Sequence, residues 1–579
     1  MKLTRRQFII GGAATAGVVS LPFLLPHLAS SAYAAKPQSL DYQSAFKQLG
    51  RISFGSTLDE CTSLMHQGLA AYLEAQLHPN DSEDAFCNKQ IANATLHIEY
   101  KANERKLDDK KPAEMMGPSE YPAVNEDRSL SSLNKPIEEL WKLSDNSFFI
   151  DGKERSRPTQ EVRAATWLRA IYSKWQLREV MVEFWHNHFN VNAFSQPQIS
   201  ATFPLYDAML RRHCFGNFRT MIEDVAQSPA MLFYLNNAKS HASPANENYA
   251  RELFELHTLG ADHYYNNLYN RWREVPGALQ GKPIGYIDQD IYEAARAFTG
   301  WTIEDGANTG RGTILPKTGK FTYFDGWHDN YQKRVLATEF DPNTAPLADG
   351  RKVLDLVSAH PGTAMFLATK LCRRFIGDNP PAELIKRVAT VWQQASSKPD
   401  QIAQVLRAII LSPEFAASTQ QKNKRPVEFA VSFLRATGAQ VMPNEALFNA
   451  ISGAGYKQFE WPTPTGHPDI SSYWLNTNST LSSWNLLPSL FSSGFKVASF
   501  DLAQQTPDSI QSTGEIVNYW FQRLTGTNTS NNIHAALMRF MPHSEDPTFT
   551  PDKHHPDFKT PLQEMVMTIA MLPEFTIRG

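Results

Sequence analysis

The sequence predicts an all-α protein, a large irregular multi-helix single body with a minor β-hairpin excursion, and three observations carry that prediction. Apolar residues recur at three- and four-residue spacing over residues 161–189, 364–376 and 401–411, the period of a helix that buries one face. Strand-like alternation is sparse. Residues 310–324 hold its best case, with Thr313-Ile314-Leu315 and Phe321-Thr322-Tyr323 as the arms of a small hairpin. Finally, one pattern precedes a proline three times. Seven, four and three residues before Pro229 stand Ile222, Val225 and Ala226; before Pro413, Leu406, Ile409 and Ile410; before Pro573, Val566, Ile569 and Ala570. Each triplet is one helix face, stopped because the residue before a proline avoids the α region. Three copies at irregular spacing do not make a solenoid.

Composition leaves room for such a body. Of 579 residues, 42% are hydrophobic and 20% charged, which excludes intrinsic disorder and allows a sizeable core. The formal charge is −3, from 56 Lys and Arg against 59 Asp and Glu. A nucleic-acid binder carries a concentrated basic excess, so no nucleic-acid partner is expected.

The chain opens with Arg5-Arg6, an apolar stretch from Phe8 to about Leu25, and the small-residue cleavage site Ala32-Tyr33-Ala34. Residues 1–34 therefore read as a twin-arginine signal peptide, directing the protein to the periplasm or cell exterior. Beyond it no run approaches the roughly 20 apolar residues of a membrane helix, so no stable membrane span is expected after cleavage. Residues 35–424 read as a helical core with a charged insertion near 80–160, where a charged run at 101–111 precedes Pro112, Pro118 and Pro122. At Arg425-Pro426 the character shifts, and residues 425–579 read as a C-terminal helical part packed on that core. Cys61, Cys87, Cys214 and Cys372 show no CxxC spacing, which excludes a zinc ribbon or a thioredoxin-type motif. Their spacing is compatible with disulfides and with buried free thiols alike.

Chemistry-bearing residues gather in a few segments. On the helix that ends Glu179 to Phe189, Glu179, Glu183, His186 and Asn187 share one polar arc. Glu183 and His186 form the Glu-x-x-His spacing by which a carboxylate and an imidazole converge on a metal in helix bundles, with His188 close by. Residues 246–260 read as a second helix, ended by Gly260, whose arc carries Glu247, Asn248, Arg251, Glu252 and Glu255, with His257 on the apolar face. Arg251 stands four residues from both Glu247 and Glu255, so an ion-pair ladder is available. Asp290, Ala294 and Ala297 form a small-residue stripe open to close approach by a packed helix or a ligand. His328-Asp329, after Trp327, offers acid/base groups, with Lys333 nearby. His360-Pro361 opens the helix that carries Lys370, Arg373 and Arg374, either as a plain start signal or as a helix N-terminus that binds an anion.

Taken in order, Phe184-Trp185-His186-Asn187-His188-Phe189, Asn246-Glu247-Asn248 through Glu255-Leu256-His257-Thr258-Leu259-Gly260, Thr299-Gly300-Trp301, His328-Asp329 and His360-Pro361 resemble the bacterial family catalogued as domain of unknown function 1800. The resemblance covers roughly residues 45–578. It implies a twin-arginine start and a co-encoded, exported, hydrolase-like protein of the alkaline phosphatase and sulfatase superfamily as partner. The family has no settled activity, so no catalytic residue follows from it.

Two functional readings stand. One is a metal-dependent hydrolase or oxidoreductase. Its divalent transition metal is held between the two polar arcs by Glu183, His186, His188, Glu252 and Glu255, with His328, Asp329 and Arg251 as catalytic groups. The other is a non-catalytic protein that binds a cell-surface glycan or serves as scaffold for the co-exported partner. It is motivated by the 12 tryptophans and the aromatic, proline-rich stretch 456–474.

Overall fold

The computed structural model describes residues 40–103, 121–144, 150–310, 312–418 and 422–579. The predicted signal peptide and the 104–120 part of the charged insertion lie outside the described residues. Helices α1 (Tyr42–Ile52) and α2 (Leu58–Leu77) open the fold, each with a side-chain cap: Asp41 accepts from the Ser44 N–H, and Thr57 pairs with Glu60 in a capping box. The flanks of the insertion form an antiparallel pair, β1 (Thr95–Tyr100) with β2 (Val124–Ser129).

The continuous helical period over 161–189 resolves into α3 (Gly152–Tyr172) and α4 (Gln176–His188). Ser173 makes the break. Its hydroxyl donates to Asp84 and accepts from the Trp175 N–H, giving the backbone an alternative to the helical ladder. Then follow α5 (Pro197–His213), packed along α3, and α6 (Phe218–Gln227). The predicted helix over 246–260 is short: α7 (Asn248–Glu252) passes into a π turn, Leu253–His257, before Gly260 at φ 85°. α8 (Asp288–Ala297) buries the Asp290, Ala294 and Ala297 stripe, and the partner is packing. Asp290 caps the N–H groups of Ile287 (3.0 Å) and Leu336 (2.8 Å), and burial raises its carboxyl to about 6.

The hairpin exists, but its first arm lies upstream of the predicted one. β3 (Trp301–Asp305) pairs with β4 (Lys317–Tyr323), placing Trp301 opposite Tyr323 and Ile303 opposite Phe321. Gly306, Gly310 and Gly312, all at positive φ, turn the chain between the two strands, and Ile314 contributes only an isolated bridge to Asn308. A smaller hairpin, β5 (Lys333–Val335) with β6 (Thr338–Phe340), follows. The remaining frame is helical: α9 (Pro361–Phe375), α10 (Gln401–Ile410), α11 (Pro426–Ala436), α12 (Thr477–Phe491) and α13 (Pro556–Met571).

The recurring pattern ends α6, α10 and α13, and all nine of its apolar residues are at most 1% exposed. Pro229, Pro413 and Pro573 each open the next short helix at its first turn, where a missing N–H costs nothing. The unit is thus a stop and a restart; trimming Leu406 to Ala would cost about 2–5 kcal/mol. Residues 40–579 form one compact unit around a continuous core. No described helix is long and apolar enough to cross a membrane. All four cysteines are free and buried, and burial pushes each thiol up to about 12, leaving them protonated.

Candidate functional site

The last turn of α4 meets the C-terminal half of α9, the start of α11 and the loop at 465–469 around a cavity of about 160 Å³. α9 reaches it because Ala364, Leu367, Ala368, Leu371, Cys372 and Phe375 bury one helix face. That leaves Lys370, Arg373 and Arg374 on the next arc, toward the cavity. His360 caps this helix by accepting from the Gly362 N–H, the plain start signal its sequence suggested. The loop docks through Gly466, at φ 69°, where a Cβ would stand 2.1 Å from the Asn187 carbonyl oxygen. Only glycine fits there.

Glu183 sits at the centre, and its carboxylate is occupied. Arg425 holds it through two hydrogen bonds, of 2.7 and 3.0 Å, the Tyr456 hydroxyl donates at 2.8 Å, and the Asn187 amide adds another. Burial works to raise its pKa, but Arg425 and Arg374 together hold it below the usual carboxylate range. Arg425 also reaches Glu428 at 3.1 Å, and Lys422 holds Asp469 at 2.7 Å. Four cations (Lys370, Arg373, Arg374 and Arg425) therefore face two carboxylates (Glu183 and Asp469) across the cavity. The surrounding layer adds Lys422 and Arg578 against Glu428 and Asp378, so the excess of two positive charges persists.

Polar atoms of this wall remain without a hydrogen bond. Arg374, 2% exposed, forms ion pairs with Glu428 at 2.9 Å, Glu183 at 3.6 Å and Asp469 at 3.8 Å, and none of its guanidinium nitrogens makes a hydrogen bond among the described residues. His467, 7% exposed, donates from Nδ1 to the Asn187 amide oxygen at 3.0 Å, which leaves Nε2 as a lone pair with no donor. Burial lowers its pKa to about 3, so the ring stays neutral. It stacks on Tyr456 with ring centroids 4.1 Å apart and meets Trp461 at 4.6 Å. Of the rings in this stretch His467 lines the cavity, and Tyr456 and Trp461 support it.

Lys370 Nζ donates to His188 Nδ1 at 2.9 Å, and His188 Nε2 donates to the His257 carbonyl at 3.0 Å. Burial, aided by Arg373 and opposed by Asp469, lowers the Lys370 ammonium to about 8. Burial and Lys370 hold His188 well below its ordinary value, so it accepts as a neutral ring.

The structure does not bring the five expected metal ligands together. Glu183 is bound by Arg425, and His186, one turn on, pairs with Asp207 at 3.0 Å in a nest of Phe203, Tyr206 and Phe459. Glu183 and His186 both touch an adjoining cavity of about 30 Å³, each with its partner already in place. His188 is engaged by Lys370, while Glu252 and Glu255 lie on another element and line neither cavity. No group of three His, Cys, Asp or Glu side chains among the described residues is placed to hold a metal ion. The π turn is part of the reason, because it changes the angle between successive residues and turns the second arc out of the phase a straight helix would give.

The proposed catalytic groups are likewise apart. Arg251 bonds Glu247 at 3.0 Å, its one carboxylate partner among the described residues, and reaches the Tyr264 hydroxyl at 3.5 Å. Asp329 is clamped by Arg296 at 2.7 and 2.9 Å. His328 turns the other way, to the Thr299 carbonyl at 2.8 Å and Asp349 at 3.3 Å, and Lys333 joins Asp349 at 2.7 Å. These are ties between β5, the loop before it and the helix Ala348–Ala359. Sequence reasoning passed over Arg425, His467 and Asp469. A usable signal was the Lys370, Arg373, Arg374 spacing, three cations at i, i+3 and i+4 beside a buried face.

Residues 47–577 match the family model described as "Protein of unknown function (DUF1800)". No curated protein and no solved structure matches the chain.

Proposed function

The chain belongs to the DUF1800 family, and from the cavity at the end of α4 we propose that it recognises an anionic saccharide, a sugar bearing a phosphate or carboxylate group. The observation that carries this is the wall of Lys370, Arg373, Arg374 and Arg425, two positive charges in excess of Glu183 and Asp469, with the Arg374 guanidinium ion-paired to Glu428 but making no hydrogen bond. A buried donor left without a hydrogen bond costs about 1–3 kcal/mol, more when charged, and an anionic oxygen removes that cost. The lone pair of His467 Nε2 calls for a donor beside the anion, which a sugar hydroxyl supplies. His467, stacked on Tyr456 and against Trp461, presents a supported ring surface in the cavity against which a sugar packs.

The test is calorimetry on the full chain with glucose 6-phosphate, glucuronate and glucose. The charged sugars bind saturably and glucose does not; equal or absent binding of all three rejects the reading. A catalytic role rests on Lys370 alone. With its ammonium lowered to about 8 and His188 as hydrogen-bond acceptor, it can take a proton from a bound hydroxyl, and turnover would rise with pH through about 8. Export through the signal at residues 1–34 places this activity in the periplasm or at the cell exterior, beside a co-exported hydrolase-like partner. Changing Arg5 and Arg6 to lysine retains the protein in the cytoplasm if that address is right, and affinity purification from the exported fraction recovers the partner.

A further inference from the structure

A second, half-buried lysine lies outside that cavity. Lys424, just before α11, lines a separate cleft of about 140 Å³ with Phe429, Trp474, Trp484 and Met571, and Leu475, 61% exposed, stands at its rim. Lys424 is the cleft's only charged lining residue. Its Nζ sits 3.6 Å from the centroid of the Phe575 ring and has no hydrogen-bond acceptor or ion-pair partner among the described residues. Glu428, the carboxylate that acts on it through space, is already committed to Arg425 and Arg374. With no acceptor or ion-pair partner to hold its proton, Lys424 is poised to be an amine, against the modest pull of the Phe575 face on its ammonium.

We propose that Lys424 is the nucleophile of a carbonyl-capture site, which takes a small, ring-sized aldehyde or ketone as a reversible imine. The size follows from the cleft: its 140 Å³, lined by rings and Met571 and by the hydroxyls of Ser479, Thr480 and Ser483, is close to the roughly 150 Å³ that holds one benzene ring. The neutral Nζ attacks the carbonyl carbon, a C–N bond forms and the carbonyl π pair moves to oxygen. A proton passes from nitrogen to that oxygen to give the carbinolamine. Loss of water then breaks the C–O bond and leaves C=N; nothing is oxidised or reduced. Burial, aided by Arg578 and opposed by Glu428, lowers the ammonium to about 7, so about half of the side chain is neutral at neutral pH. An ordinary lysine is neutral there at roughly one part in a thousand or less.

The experiment incubates the full-length protein with benzaldehyde and cyanoborohydride at pH 7 and maps benzylated lysines by peptide mass spectrometry. Lys424 should carry at least about tenfold more adduct than any other lysine, with labelling that climbs through pH 7. Lys424→Arg keeps a cation over Phe575 but removes the nucleophile, so it loses this adduct at an unchanged melting temperature. Uniform labelling of the lysines, or preferential labelling of Lys370, overturns the proposal. Should the arginine variant fail to fold, the map of the unaltered protein alone decides.

Discussion

Lys370 and Lys424 are two half-buried amines in one helical body, and what surrounds them differs in kind. Lys370 stands among three arginines and two carboxylates and donates to His188. Lys424 stands among rings, a methionine and hydroxyls, over Phe575, with no carboxylate in the cleft's lining. Burial is the main cause of the lowered ammonium in both, and a carboxylate opposes it in both, Asp469 at Lys370, which lies near 8, and Glu428 at Lys424, which lies near 7. The charged wall preserves a cation for binding an anion; the cleft without a carboxylate in its lining releases a free amine. The contrast teaches that burial sets how far a lysine can shift, and the charge of the groups lining the same cavity decides which protonation state the site uses.

The contrast is broken most forcefully through its scaffold. Arg425→Leu strips the partner from Glu183 and Glu428 while leaving both carboxylates buried, and should cost about 3–5 kcal/mol in urea unfolding. Lys424→Leu, in the aromatic cleft, leaves no charge stranded and should cost nothing or stabilise. If both variants unfold with the same midpoint as the parent, the buried charges are not what shapes the first cavity.

Binding sharpens the same contrast. Lys370→Met should weaken glucose 6-phosphate by about 10–100-fold, the worth of a charge-assisted hydrogen bond. Lys424→Met should leave that affinity within about twofold, since the second cleft holds no anion. Parallel losses in both variants would merge the two sites into one.

A smaller effect separates them by pH. Each lysine has a folded pKa below the roughly 10.4 of the unfolded chain. Between the two values the unfolded state binds the proton and the folded state does not, so stability rises with pH across that window. For Lys424 the window opens at about 7 and for Lys370 at about 8. Lys424→Met should therefore flatten the stability profile from about pH 7 upward and Lys370→Met only from about 8, by about 1 kcal/mol or more in each case. The two difference curves, from denaturant titrations at half-unit steps, should part between pH 7 and 8. If they superimpose, the neighbours do not set the protonation state.

The sequence makes the helices legible and the site only partly so, for a physical reason. Leu406, Ile409 and Ile410 announce a buried face because apolar periodicity is local, and so is the proline that ends it. Glu183 announces a polar arc, but its partner Arg425 lies 242 residues away, and no spacing rule carries that distance. Without the partner a buried carboxylate reads as a metal ligand; with it, the same carboxylate is the anchor of an arginine. The π turn at Leu253–His257 is equally silent, because the 246–260 segment has an acceptable helical pattern and only the packed chain shows the extra residue in the turn. His328 and Asp329, adjacent in sequence, face different partners because neighbouring residues in an extended segment point apart.

The least costly change supplies the baseline for the others. Arg251 and Glu247 form an i, i+4 pair at 3.0 Å with both side chains about a third exposed or more, at 32% and 41%. Water screens such a pair, and holding two long side chains in one geometry offsets most of the attraction. Arg251→Ala should thus lower the unfolding free energy by about 0.3–0.5 kcal/mol, fading as salt rises toward 1 M. Arg425 makes the same kind of bond to Glu183 at 2.7 Å, but out of water. A loss above about 2 kcal/mol for Arg251→Ala would mean that the acidic arc of α7 is an enclosed network like the one at α4, and exposure would no longer be what distinguishes a tie on the surface from a charge that builds a site.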